Sequence, residues 1–212
     1  LRCLVGSEMC IRDRDHTLML MCIVGLFMAE MFCYVALFPK YEASQVMAAV
    51  FSFLYAPVLL SFVYLTRECE TGIYLVWLIL ISSWGCDTCA YVVGKLIGKK
   101  HIFPELSPHK SLEGCIGGVV GAALIGGLYA HFFVETAFPD RTITWIIAFI
   151  CAAGAVMSMV GDLAASAIKR NHNIKDYGKL IPGHGGIMDR FDSMTVTAPM
   201  TYFLTILLMG LR

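Results

Sequence analysis

The chain has 212 residues, of which 58% are hydrophobic and only 15% charged, and its mean hydropathy is +0.72. A soluble domain usually carries about 25% charged residues, so this composition excludes an ordinary water-soluble fold and points to a membrane protein. Sixteen basic and sixteen acidic side chains balance to zero formal charge, so no global basic or acidic bias suggests nucleic acid or a charged tail as partner.

The chain begins at Leu1 rather than Met, and LVGSEMCIRDR resembles a peptide translated from adapter DNA. Residues 1–14 are therefore set aside as a non-native segment, with the native chain expected to continue upstream. Residues 15–212 are expected to form a single transmembrane domain. A bilayer core about 30 Å thick needs about 20 apolar helical residues. Such runs occur at 17–38, 44–65, 72–98, 115–135, 142–168 and 193–211. The expected fold is an all-α polytopic integral membrane protein with about six transmembrane helices.

Threading these helices alternately places the connections 39–43, 99–114 and 169–192 on one side of the membrane. That side carries nine basic residues (Lys40, Lys99, Lys100, Lys110, Lys169, Arg170, Lys175, Lys179 and Arg190), against Arg67, Arg141 and Arg212 on the other. The bias places the loops near 99–114 and 169–192 in the cytoplasm, and the chain in the inner, cytoplasmic membrane as a multi-pass protein. The nine cysteines form no disulfide framework, since most sit inside apolar runs, and the Cys86/Cys89 pair lacks a partner pair for zinc. The Gly94/Gly98 and Gly117/Gly121 spacings are compatible with close helix packing.

The polar residues then follow in chain order. Asp87 lies about ten residues before the cytoplasmic end of the third run, roughly 15 Å deep at 1.5 Å per residue. Such an acid marks a functional cavity or pairs with a basic residue such as Lys95. In SPHKSLEG, Lys110 is a phosphate-contact candidate, and Ser111 reads equally well as an N-cap. Asp162, Ser166 and Lys169 fall at i, i+4 and i+7, on one helix face with Arg170 beside them. The two cations alone read as a snorkelling helix end, but a short carboxylate such as Asp162 cannot snorkel far.

In the following loop, Lys175, Asp176 and Lys179 precede IPGHGGIMDRFD. Gly183, Gly185 and Gly186 around His184 permit an anion cradle or merely a tight loop. His184 itself reads as a base, a phosphate donor or a loop hydrogen bonder. Asp189 and Asp192 are one helical turn apart, suited to a shared hard cation such as Mg²⁺ or to offsetting the helix dipole. Carboxylates and cations gathered at a membrane boundary are the groups needed for phosphoryl or nucleotidyl transfer, which works by positioning and charge neutralisation.

SAIKRNHNIKDYGKLIPGHGGIMDRFD, residues 166–192, resembles the signature of phosphatidate cytidylyltransferases, also called CDP-diacylglycerol synthases, and DTCAYVVGKLIGKK, SPHKSLEG and VGDL resemble further blocks in the same order. The resemblance covers roughly residues 80–212. Two positions depart from it: Ala165 stands where the family commonly has Glu, and Leu112 where Trp is usual. The resemblance implies that CTP and phosphatidic acid react in the membrane, with Mg²⁺, to give CDP-diacylglycerol and pyrophosphate. It implies Asp162, Asp189 and Asp192 as metal ligands and, with Lys169, as the catalytic set. Asp87, Lys110, Ser166, Arg170, Lys175, Asp176, His184, Gly185, Gly186 and Arg190 are the implied substrate-binding residues, and a homodimer is the oligomer considered.

Related CTP-using enzymes, such as a polyprenol or phytol kinase or an archaeal-lipid cytidylyltransferase, would handle metal and triphosphate alike. An ion-coupled transporter would also use Asp87 and Asp162, but it leaves the glycine-rich acidic loop unexplained.

Overall fold

Hydrocarbon offers no partner for backbone N–H and C=O groups, so the apolar runs must satisfy them internally as helices. The computed structural model describes residues 2–69, 71–102, 107, 110–135, 142–174, 177–178 and 186–210, the side chains of 2–16 and 142 excepted. Among the described residues there is no strand, only an isolated antiparallel bridge between His101 and Ser111. The chain divides into two compact units, Leu1–Val58 and Leu59–Arg212.

In the first unit, α1 (Arg2–Ala36) is followed by α2 (Ala43–Phe53) and a π-helical turn, Leu54–Val58. Glu42 opens α2 through a reciprocal capping box with Gln45, whose Oε1 accepts the Glu42 N–H at 3.1 Å. Pro57 lies in the π turn, where its missing N–H interrupts the regular ladder.

The second unit contains α3 (Leu59–Glu68), α4 (Gly72–Leu80), α5 (Cys86–Ile97), α6 (Leu112–Tyr129), α7 (Thr142–Asn171) and α8 (Met188–Met209). A π turn, Ile81–Gly85, joins α4 to α5, and a second, Ala130–Val134, extends α6. Leu75, Leu78, Ala130, Val134, Ile147 and Ile150 pack into one buried cluster that ties α4, the end of α6 and α7 together. Ile79 meets Met194 and Ala198 of α8 in another, and Cys86, Ala122 and Ala155 form a third among α5, α6 and α7.

The segments Thr17–Ala36, Ala43–Glu68, Gly72–Ile97, Leu112–Val134 and Ile143–Asn171 are long and apolar enough to cross a membrane. The expected sixth run, 193–211, is helical through Met209, but α8 begins earlier, at Met188, and is not among the segments apolar enough to cross. It buries Asp192, Ser193, Thr195, Thr197, Thr201 and Thr205 against its neighbours. Two of these hydroxyls are satisfied within the helix: Thr195 donates to the Asp192 carbonyl at 2.7 Å and Thr197 to the Ser193 carbonyl at 2.8 Å.

Helices α5 and α6 approach closely because glycine lines their seam. A Cβ added at Gly117 would lie 2.6 Å from Val93 Cβ, and one at Gly121 would lie 2.6 Å from Cys89 Cβ. The Gly117/Gly121 spacing thus serves helix contact, as small residues do in membrane bundles. Gly117→Ala is expected to destabilise the bundle by about 1–3 kcal/mol through overpacking. Thermal unfolding in detergent should show a lowered midpoint for Gly117→Ala and an unchanged one for Gly25→Ala, whose added Cβ meets nothing within 4 Å.

Candidate active site

Two connections of the second unit meet at one end of its bundle. In the first, residues 99–102 run back along 110–112: Ile102 N–H donates to the Lys110 carbonyl at 3.3 Å and Leu112 N–H to the Lys100 carbonyl at 2.8 Å. Glu113 fastens this turn from α6, its Oε2 accepting the N–H groups of Lys99 at 3.1 Å and Lys100 at 3.2 Å. Ser111 is the N-cap of α6, with Oγ accepting the Gly114 N–H at 3.2 Å. The folded-back turn delivers Lys110 to an ion pair with Asp162 of α7.

The second connection joins α7 to α8. Lys169, two helical turns beyond Asp162, places Nζ 2.9 Å from Asp189 Oδ1 and 3.8 Å from Asp192 Oδ2. The three side chains are only 12%, 8% and 9% exposed, so their attraction is weakly screened. Asp189 Oδ2 accepts two backbone N–H groups, from Tyr177 and Gly186, each at 2.9 Å. Asp192 Oδ1 accepts the Ser193 N–H at 2.7 Å. Burial of Asp189 works against its charge, but the Gly186 N–H, the Lys169 ammonium and the Tyr177 N–H outweigh it and hold the carboxyl below its ordinary range.

Asp87 stands near enough to be repelled by Asp162 and attracted by Lys110, and Asp192 likewise feels Asp162, Lys169 and Asp87. The Asp87 side chain is exposed rather than enclosed. The pairing with Lys95 does not occur, since Lys95 Nζ lies over the Tyr91 ring at 5.8 Å. Ser166 is half-buried on α7, and Arg170 and Arg190 are exposed. Gly186 is buried where two stretches of backbone cross: a Cβ there would come within 2.9 Å of the Gly178 nitrogen. Lys175, Asp176, His184 and Gly185 lie outside the described residues. Among the described residues no three His, Cys, Asp or Glu side chains form a ready metal cage.

Two further residues belong to this region and were not singled out from sequence. Tyr177 holds the second connection to α7: its hydroxyl donates to the Ala165 carbonyl at 3.3 Å, and Lys169 Nζ lies 5.2 Å from its ring centroid. Ala165, where the resemblance would place Glu, is fully buried. Trp84, in the π turn before Asp87, donates its indole N–H to the Arg190 carbonyl at 3.4 Å and packs near Phe191 at 6.2 Å between centroids. An aromatic set inside a charged loop, and a Trp one turn from an intramembrane acid, were the available signals.

The fold and site define a polytopic helical membrane protein with lysines and aspartates gathered from one connection and two helix ends at one end of its bundle. The chain belongs to the cytidylyltransferase family, whose sequence pattern matches residues 3–208. It is similar to proteins named phosphatidate cytidylyltransferase. That of Haemophilus influenzae is 40% identical over 139 residues, covering 65% of this chain and 48% of the relative. That of Bacillus subtilis is 37% identical over 135 residues, covering 64% and 48%. That of Thermotoga maritima is 36% identical over 178 residues, covering 80% and 64%. The chain spans about half the length of the first two relatives.

Lys169→Met leaves two nearly buried carboxylates without their counter-ion and is expected to destabilise the protein by about 3 kcal/mol, read as a lowered unfolding midpoint in detergent. Asp189→Asn should also lower the midpoint at pH 7. Because folding lowers the Asp189 pKa, the carboxylate's contribution is present above the unfolded value, about 4, and is lost as pH falls through the folded one. The gap between wild type and Asp189→Asn should therefore close below about pH 4.

Proposed function

We propose that the protein transfers a cytidylyl group from CTP to phosphatidic acid, giving CDP-diacylglycerol and pyrophosphate for phospholipid biosynthesis. Family membership and relatives bearing the phosphatidate cytidylyltransferase name support this reading. The observation that carries it is the convergence of the Lys110–Asp162 and Lys169–Asp189–Asp192 groups at one end of an apolar bundle. A lipid phosphate already lies at such a membrane boundary, so only the nucleotide must be brought to it.

In the transfer, a phosphate oxygen of phosphatidic acid attacks the α-phosphorus of CTP. The bond from that phosphorus to the bridging β-phosphate oxygen breaks, and pyrophosphate leaves with the electron pair. Two anions must approach, so the protein's main task is to hold them together. Lys110 and Lys169 supply charge beside the acids, with Arg170, Lys175 and Arg190 as further phosphate contacts. Ser166, Asp176, His184, Gly185 and Gly186 serve substrate binding, the Gly186 N–H pointing to Asp189 in this arrangement.

Acids that repel one another across Asp87, Asp162 and Asp192 fit a divalent cation, because a hard ion takes carboxylate oxygens and shares itself with phosphates. Asp162, Asp189 and Asp192 would hold Mg²⁺. When bound, the ion supplies charge neutralisation on the phosphates. Both Asp189 oxygens already accept hydrogen bonds, so Asp162 and Asp192 fit that duty most directly. The basic-residue bias of the loops supports a site facing the cytoplasm from the inner membrane.

Pyrophosphate release from CTP and phosphatidic acid in mixed detergent micelles tests the proposal. Wild type should turn over only with Mg²⁺, and Asp162→Asn should lower kcat at least about a hundredfold. Absence of wild-type turnover rejects the reaction, and equal rates reject the role of Asp162. Transfer of the γ-phosphate with release of CDP would identify a lipid kinase instead.

A further inference from the structure

We infer that Tyr177 is a positioning residue for the proposed transfer, setting Lys169 against Asp189 by clasping the second connection to α7. The inference rests on the function proposed above and adds a residue with a stated role.

Tyr177 reaches three separate parts of the site. Its backbone N–H donates to Asp189 Oδ2 at 2.9 Å, its ring lies beneath Lys169 Nζ at 5.2 Å, and its hydroxyl donates to the Ala165 carbonyl at 3.3 Å. Ala165 and Lys169 are one turn apart on the same face of α7. The side chain therefore lies along that turn, anchored at one end and supporting the lysine with its π face. Lys169 is otherwise a four-carbon stem with many rotamers, and its ammonium must stay near two carboxylates without collapsing onto one of them. The aromatic face limits the directions from which Nζ can approach.

The same residue also fixes the acid. Asp189 Oδ2 bonds the Tyr177 and Gly186 N–H groups together, and Gly178 and Gly186 cross there too closely for a side chain at 186. The two ends of the glycine-rich stretch are thus pinned at one carboxylate oxygen, and Tyr177 ties that pin to α7. Lysine, acid and loop share one reference point.

A packing role alone would require only apolar bulk at 177, whereas positioning requires the π face. Tyr177→Phe keeps the face and loses the hydroxyl anchor on Ala165, and Tyr177→Leu removes both. In pyrophosphate-release assays on the protein in detergent, Phe should keep kcat within about threefold of wild type. Leu should lower it about thirtyfold, with KM for CTP within about twofold in both. Equal losses in the two variants, or full activity in Leu, would overturn the inference. Should Tyr177→Leu fail to fold, Tyr177→Met replaces it, and failure of both while Phe folds assigns Tyr177 to packing and also overturns it.

If wild type itself does not turn over CTP and phosphatidic acid, the functional reading fails and the clasp is judged by hydrogen exchange at the Tyr177 and Gly186 amides. Leu should speed that exchange at least about tenfold relative to wild type, with Phe between the two, and exchange identical to wild type in Leu would overturn it.

Discussion

The arrangement of the second unit depends on one charge interaction: Lys169 of α7 held between Asp189 and Asp192 at the start of α8. Nearly buried ions are costly to desolvate, and their mutual attraction must offset that cost with good geometry and further hydrogen bonds. Here the further bonds come from backbone. The Tyr177 and Gly186 N–H groups bond the Asp189 oxygen that Lys169 does not occupy, and the Ser193 N–H bonds Asp192 Oδ1. The ion cluster and the loop conformation therefore support each other, and neither is free to change alone.

The Lys110–Asp162 pair extends the same logic to the other connection. Its lysine arrives through a tight fold-back secured by Glu113, a residue that touches no other acid of the site but governs where Lys110 emerges. Apolar packing among α4, α6, α7 and α8 keeps the helix ends level, so charges from distant parts of the chain share one region. A lipid-facing exterior and a polar end are consequences of the same helix arrangement.

Much of this was legible in the sequence, for physical reasons that differ by element. The long helices were readable because hydrocarbon thickness sets a minimum apolar length, and Thr17–Ala36 through Ile143–Asn171 follow it. The α8 boundary was less readable because the helix opens on charged residues, and because Thr195 and Thr197 turn their hydroxyls onto its own backbone, which no hydropathy sum anticipates. The shared face of Asp162 and Lys169 followed from helical spacing alone. Their separate partners did not, since Lys110 lies 52 positions before Asp162 and only the fold-back at 99–102 brings it there. Tyr177 was invisible for a similar reason: its meaning lies in which carbonyl, lysine and carboxylate it reaches at once.

The widened turn Ile81–Gly85 bears on how the site tolerates change. Each π turn accommodates one residue more than an α turn, and one residue corresponds to about 100° of rotation about the axis. Cys86 faces the Ala155 carbonyl, and Asp87 comes near enough to feel Asp162 and Lys110, with that surplus absorbed upstream. Azimuth is thus a contribution of this stretch beside the Trp84 contacts to Arg190 and Phe191. Chains that gained or lost a single position there would rotate Asp87 by about 100° away from its present bearing.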